Sequence, residues 1–200
     1  MTRAFVFPGQ GSQFVGMGQV LAGAFPVAKH LFEEVDDALD QHLSKLMFNG
    51  PEEELTLTEN TQPALMAVSL AIMRVLESEG GIDLTNAGKF VAGHSLGEYS
   101  ALTAAKTFSI ADAARVLKAR GNAMQKAVPV GEGSVAALMG VDLDIAEEIA
   151  AEASAAGVCM AANDNAPSQI VISGATKAIE KAVEIAAEKG AKRSVILPVS

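Results

Sequence analysis

At 200 residues, half of them hydrophobic and a fifth charged, the chain is long enough for a substantial core and is not composed like a disordered one. Its net charge of −9 argues against a general nucleic-acid binder, whose phosphate contacts need a basic surface, yet leaves room for a small anion at a local Lys and Arg cluster. Cys159 is the single cysteine and no Cys/His set has metal-ligand spacing, so neither an internal disulfide nor a metal is expected.

The apolar run at the N-terminus is too short for a signal peptide and no segment approaches a membrane span, so the cytoplasm is the expected compartment. Residues 4–7 read as a buried strand ended by Pro8. The following Gly9-Gln10-Gly11-Ser12-Gln13 can turn backbone N–H groups toward a ligand. A dinucleotide fingerprint would need glycine at Phe14 and a P-loop would need Gly-Lys-Ser/Thr, so taken alone this loop reads as an ordinary turn. Over residues 25–47 Leu31, Val35, Leu39, Leu43 and Leu46 recur at helical spacing, with the acidic residues between them on a solvated face. Asn49-Gly50-Pro51 breaks that pattern, and Glu52-Glu53-Glu54 opens a further helical turn. Asn60-Thr61-Gln62-Pro63 then starts a helix over residues 64–77, with Pro63 near its first turn. It is apolar nearly all round, which predicts burial against a sheet, and Gly80-Gly81 ends it.

Residues 88–93 predict a strand and 98–105 a helix, and between them Gly93-His94-Ser95-Leu96-Gly97 reads G-x-S-x-G. This is the context of a nucleophile elbow, in which glycines let strand and helix approach closely and Ser95 projects its hydroxyl at a helix N-terminus. Free N–H groups and the helix dipole favour a developing oxyanion there. The plainer alternative is a glycine-rich turn whose serine merely caps the helix.

Ser109-Ile110-Ala111-Asp112 resembles a capping box opening a helix to about residue 127, with Val116, Leu117 and Met124 facing inward. Arg120, between Ala119 and Gly121, has space around it for a ligand, although an unpaired surface arginine is the commoner explanation. Beyond residue 130 come a strand (134–139), a helix (142–155), two strands (158–162 and 169–173) around a loop at 163–167, a helix (175–189) and a strand (193–197). The expected fold class is α/β: a hydrolase-like parallel-sheet core with a nucleophile elbow, plus an inserted ferredoxin-like βαββαβ subdomain. The expected domains are a large one over 1–129, incomplete at its C-terminal side, a small one over 130–197, and a return at 198–200.

Four motifs carry a resemblance: Phe7-Pro8-Gly9-Gln10-Gly11-Ser12-Gln13, Thr61-Gln62-Pro63-Ala64, Gly93-His94-Ser95-Leu96-Gly97-Glu98 and Ala119-Arg120-Gly121. In this order they resemble the malonyl-CoA:acyl-carrier-protein transacylases of fatty acid synthesis, and the related acyltransferase domains of polyketide synthases. The resemblance implies that Ser95 accepts malonyl from coenzyme A as an ester and passes it to the phosphopantetheine thiol of acyl carrier protein. It implies an oxyanion hole from the backbone N–H groups of Gln10 and Leu96, and Arg120 paired with the free malonyl carboxylate. It places Gln62 in the pocket near that carboxylate and Asn163 and Asn165 near the acyl or pantetheine entrance. No cofactor is implied beyond the substrates malonyl-CoA and phosphopantetheinylated acyl carrier protein. A monomer is expected, with neither nucleic acid nor membrane as partner.

Serine attack needs a general base, and His30, His42 and His94 all precede Ser95. His30 and His42 read as solvated, and His94 as too close in sequence to bond its neighbour. Family members place their histidine just beyond the point that Leu197-Pro198-Val199-Ser200 resembles, so the chain is expected to be an N-terminal portion, unstable or nearly inactive alone. A serine hydrolase or thioesterase is the alternative enzyme, which needs no carboxylate clamp. A non-catalytic carrier-protein docking fragment is the alternative module, with Lys126, Lys189, Lys192 and Arg193 as its candidate basic residues.

Overall fold

Two separate hydrophobic cores form, belonging to two compact units that divide between Ala127 and Val128. The structure, a computed structural model, describes residues 3–129 and 131–197. Val130, where the sequence places the domain junction, and the expected return over 198–200 lie outside the described residues.

In the first unit β1 (Ala4–Phe7) pairs in parallel with β2 (Phe90–Gly93), Ala4 opposite Phe90 and Phe7 opposite Gly93. Only Phe7 of β1 is buried, and Val6 is 74% exposed, so the expected buried strand is buried on one side at one end. The helices are α1 (Gln19–Ala24), α2 (Pro26–Leu39), α3 (Leu43–Asn49), α4 (Glu52–Thr56), α5 (Thr58–Ser78), α6 (Leu84–Ala87), α7 (Leu96–Ala104) and α8 (Ile110–Ala127).

The single helix expected over 25–47 is two. Asp40 turns left-handed at φ 48° and closes α2, its N–H donating to the Asp36 and Asp37 carbonyls. Asp36, expected on the solvated face, instead accepts the Ser44 N–H at 2.8 Å and its hydroxyl at 2.6 Å, holding the start of α3 with a carboxylate.

Helix α5 begins at Thr58, so Pro63 lies inside it and not in its first turn. The early start is fixed by bonds to the preceding segment: Thr61 Oγ1 donates to the Leu55 carbonyl at 2.6 Å, and Asn60 Nδ2 to that of Glu54 at 2.9 Å. Nor is α5 buried chiefly against a sheet. It packs on α2, α7 and α8, and its small residues Ala64, Ala67 and Ala71 are fully buried among helices. Helix α8 turns Ala113, Ala114, Leu117 and Gly121 inward, while Val116 and Met124, both expected inside, are 43% and 48% exposed. The core-facing stripe of α8 follows its smallest residues because α5 approaches so closely. A Cβ on Gly121 would lie 2.5 Å from Glu59 Cα and 2.7 Å from the Thr58 carbonyl oxygen. At its start Ser109 Oγ accepts the Asp112 N–H at 3.0 Å, as a capping residue does.

The second unit runs β3 (Gly133–Met139), α9 (Leu143–Ala153), β4 (Cys159–Ala166), β5 (Gln169–Ala175), α10 (Thr176–Glu188) and β6 (Arg193–Leu197). Its strands lie in the order β4-β5-β3-β6, every pair antiparallel. The expected loop at 163–167 is mostly strand: β4 continues to Ala166 through two register shifts, and the turn shrinks to Pro167-Ser168, with Ser168 at φ 60°. Bulges let the polar run Asn163-Asp164-Asn165 stay in an edge strand. Ala136, Leu138, Ile170 and Ile172 of the sheet pack with Ile149, Ile179 and Ala182 of the helices. Lys189, considered above for partner contact, is engaged by Glu152 at 2.6 Å and Glu148 at 3.0 Å. Among the described residues no helix is long and apolar enough to cross a membrane.

Gly121→Ala is expected to destabilise the first unit by about 3 kcal/mol, because backbone atoms cannot yield to the new methyl as a flexible side chain would; urea denaturation followed by circular dichroism measures it. In the second unit burial pushes the Cys159 thiol pKa up. Its contribution to stability is fully present below the ordinary thiol value and is lost as pH rises through the raised folded value. Iodoacetamide should therefore label Cys159 slowly in the native chain and rapidly once urea unfolds it.

Candidate active site

The G-x-S-x-G segment folds as strand, sharp turn and helix because two glycines remove side chains where backbones meet. A Cβ on Gly93 would fall 1.9 Å from the Gly97 carbonyl carbon, and one on Gly97 would fall 2.4 Å from the Phe7 carbonyl oxygen. The end of β1 therefore presses on the first turn of α7. The His94 N–H continues the β1–β2 contact by donating to the Phe7 carbonyl at 3.2 Å. Ser95 sits between, at φ 54° and ψ −113°, a conformation costing about 1–3 kcal/mol for a residue with a side chain. Gly97 and Glu98 turn their N–H groups back onto the His94 and Ser95 carbonyls, at 2.9 and 3.1 Å. Ser95 is exposed, Leu96 is the first residue of α7, and Glu98 puts a carboxylate in that first turn.

Arg120 reaches this turn from α8. Its Nη2 donates to Ser95 Oγ at 3.1 Å and its Nη1 to Gln62 Oε1 at 2.6 Å, so three of the expected site residues meet in one chain of bonds. Gln62 is fully buried, and its Nε2 faces Met124 Sδ at 3.3 Å, which orients the amide oxygen toward the arginine. The Tyr99 ring lies 5.8 Å from the guanidinium carbon. The sequence does not mark Tyr99 and Met124 as site residues, although Met124 follows Arg120 by four on one face of α8 and Tyr99 stands in the first turn of the helix that Ser95 precedes. Among the described residues no carboxylate lies within salt-bridge distance of Arg120, whereas Lys118 on the same helix is 3.7 Å from Glu59 and Arg115 is 3.4 Å from Asp112. An uncompensated guanidinium bonded only to neutral oxygens is prepared for an anion.

The Gly-Gln-Gly loop lies against the same turn. A Cβ on Gly9 would be 2.6 Å from His94 Nδ1 and 3.0 Å from its carbonyl oxygen. Gly11, at φ 110°, donates its N–H to Gln13 Oε1 at 2.8 Å, and Ser12 Oγ donates to the Gly9 carbonyl at 3.2 Å. Gln10 sits at the loop's tip, its Nε2 donating to Thr58 Oγ1 at 3.3 Å. Gln10, Gln62, Ser95, Leu96 and Arg120 thus all belong to the first unit. Asn163 and Asn165 belong to the second, both exposed on β4. His30 and His42 are exposed as expected. Among the described residues no group of three or more His, Cys, Asp and Glu side chains could hold a metal ion.

The chain matches the acyl transferase domain family over residues 4–199. It is 49% identical over 198 residues to the malonyl CoA-acyl carrier protein transacylase of Bacillus subtilis strain 168, with 98% of this chain and 61% of that protein covered. A crystal structure of acyl-carrier-protein S-malonyltransferase from Bartonella henselae superposes with a TM-score of 0.94 at 60% identity, covering all of this chain and 63% of that one. A malonyl-transacylase solved in complex with a type II polyketide synthase acyl-carrier protein gives a TM-score of 0.93 at 44% identity, covering 100% and 63%. The chain spans about three-fifths of the length of these relatives.

Because Gly93 and Gly97 meet backbone atoms, alanine at either position is expected to cost about 3 kcal/mol or more. Ser95→Gly, by contrast, should exceed Ser95→Ala in stability by about 1 kcal/mol, since glycine adopts the positive φ without strain. Paired urea melts of the four variants test both expectations.

Proposed function

The chain belongs to the acyl transferase domain family, and from that premise we propose that it forms a malonyl ester on Ser95 and passes the group to the phosphopantetheine thiol of acyl carrier protein. The observation that carries this reading is the uncompensated Arg120 guanidinium bonded to Ser95 Oγ at 3.1 Å. In a malonyl thioester one methylene separates the free carboxylate from the reacting carbonyl, so a carboxylate-binding cation must stand beside the nucleophile. Arg120 does, and Gln62 holds one arm of its fork.

Malonyl-CoA binds with its carboxylate on Arg120 Nη2, in place of the Ser95 hydroxyl. The freed Oγ attacks the thioester carbonyl, the C–O bond forms, the C–S bond breaks, and coenzyme A leaves as the thiol with the proton that Ser95 gives up. The carrier's thiol then attacks the ester and returns a proton to Ser95. Within each step the N–H groups of Gln10 and Leu96 receive the oxyanion of the tetrahedral intermediate, a role supported by the Gly9 contact on His94 and by the place of Leu96 at the head of α7. The strand–turn–helix is accordingly a nucleophile elbow. The second unit is a ferredoxin-like domain, a reading supported by its βαββαβ order and its strand sequence. Malonyl-CoA and the carrier protein are the only small-molecule and protein partners this chemistry needs, and the cytoplasm is where both are met.

Arg120→Ala is expected to slow Ser95 acylation by malonyl-CoA about 100-fold, the value of a lost charge-assisted pair, and acylation by acetyl-CoA only a few-fold. Rapid mixing with intact-mass detection of the Ser95 adduct measures both. Equal losses for the two thioesters would overturn the carboxylate assignment, and an adduct that hydrolyses quickly without an added thiol would point to a thioesterase.

A further inference from the structure

We propose that Thr58 is a positioning residue for the acyl-transfer step: the first turn of α5 holds the oxyanion loop with Thr58 and the carboxylate-binding arginine with Gln62. This rests on the acyltransfer reading above. Thr58 and Gln62 are four residues apart on one helix, so their side chains share a face. Thr58 Oγ1 accepts from Gln10 Nε2 at 3.3 Å, and Gln62 Oε1 accepts from Arg120 Nη1 at 2.6 Å. The two bonds reach opposite ends of the reacting group, the carbonyl at the Gln10 N–H and the carboxylate at the guanidinium.

Burial and close packing make this turn a rigid reference. Thr58 is 6% exposed and Gln62 fully buried. Helix α8 touches the turn at the residue after Arg120, since a Cβ on Gly121 would meet the Thr58 carbonyl oxygen at 2.7 Å and Glu59 Cα at 2.5 Å. Two further bonds fasten the same stretch: Lys118 Nζ donates to Asn60 Oδ1 at 2.8 Å, and Gln41 Nε2 donates to the same oxygen at 3.0 Å. The loop carrying Gln10 packs on His94 through Gly9, but beyond that glycine it turns outward. Gln10 and Gly11 are exposed, and the loop's other side-chain bonds, Gln13 to Gly11 and Ser12 to Gly9, are internal to it. With Gly9 already seated on His94, the Gln10 side chain is the tether by which the exposed part of the loop takes its position from α5, and its backbone N–H is the group being positioned.

Thr58→Val keeps the branched shape and removes the acceptor, and Gln10→Ala removes the tether while keeping the backbone N–H. Each is expected to slow Ser95 acylation about tenfold with malonyl-CoA and acetyl-CoA alike, at unchanged half-saturating concentration, because the oxyanion is common to both substrates. The double variant should be no slower than either single one. Thr58→Ser, which restores the acceptor, should return the rate to near that of the unmutated chain. Multiplying effects in the double variant, or a Thr58→Val chain that acylates at full rate, would overturn the proposal. Amide hydrogen exchange tests the tether without acylation: residues 9–11 should exchange faster in Thr58→Val and Gln10→Ala while α5 and α8 stay unchanged. Equal exchange at residues 9–11 would overturn it. An unmutated chain that forms no Ser95 adduct yet shows the exchange difference would count against the acyltransfer reading and support the tether.

Discussion

The geometry around Ser95 depends on the near-contact of three backbone segments where Gly93 and Gly97 have no side chains. The carbonyls of Phe7 and Pro8 at the end of β1 lie against Gly97, and Gly97 lies against Gly93 at the end of β2. Any methyl group there would drive α7 off the strand pair. With the three segments in register, the chain has only His94 and Ser95 between β2 and α7 in which to turn from strand to helix, and the turn closes with Ser95 at positive φ. The strain at Ser95 is therefore imposed by the neighbours, and it is stored at the residue whose hydroxyl is exposed. The same contact carries the Gly-Gln-Gly loop to the turn, because that loop is the direct continuation of β1.

Much of this was legible because it is local. A glycine two residues before a serine and another two after it, between an apolar strand and a helix-forming run, specify the turn within a dozen residues, and the structure adds only the distances. The boundaries of β1 and β6 and the extent of α8 follow from the same short-range signals. What escaped depends on neighbours far along the chain. Periodicity finds an apolar stripe on α8 but cannot know that α5 will press on Gly121. It therefore assigns Val116 and Met124 to a core that Ala113, Ala114 and Gly121 occupy. Pro63 reads as a helix start until Thr61 and Asn60 are seen to bond the carbonyls at the end of α4. Asp36 reads as solvent-facing until Ser44 turns back to it.

The site divides in the same way. Ser95 was legible from its own surroundings, but Arg120 and Gln62 are 58 residues apart, and no spacing rule links them. Only the family resemblance links them in the sequence. The structure supplies the physical reason: Gly121 admits α8 to the first turns of α5, and this crossing puts the residue before it within reach of both Gln62 and Ser95. Tyr99 and Met124 complete the surroundings of the guanidinium from positions four residues beyond Ser95 and Arg120.

Electrostatics separates Arg120 from Arg115 and Lys118 on the same helix. In a chain of net charge −9, carboxylates are plentiful, and Arg115 and Lys118 each take one. Arg120 has instead an amide oxygen, a hydroxyl and an aromatic ring, partners that hold its position without cancelling its charge. A fixed carboxylate in their place would make the arm equally rigid but would have to be displaced by an anionic substrate, at the cost of an ion pair. A neutral amide on Nη1 and a displaceable hydroxyl on Nη2 avoid that competition. An acyl group without a carboxylate gains nothing from the exchange. On the malonyl-transfer reading proposed above, discrimination between malonyl and neutral acyl groups would follow from which oxygen occupies Nη2.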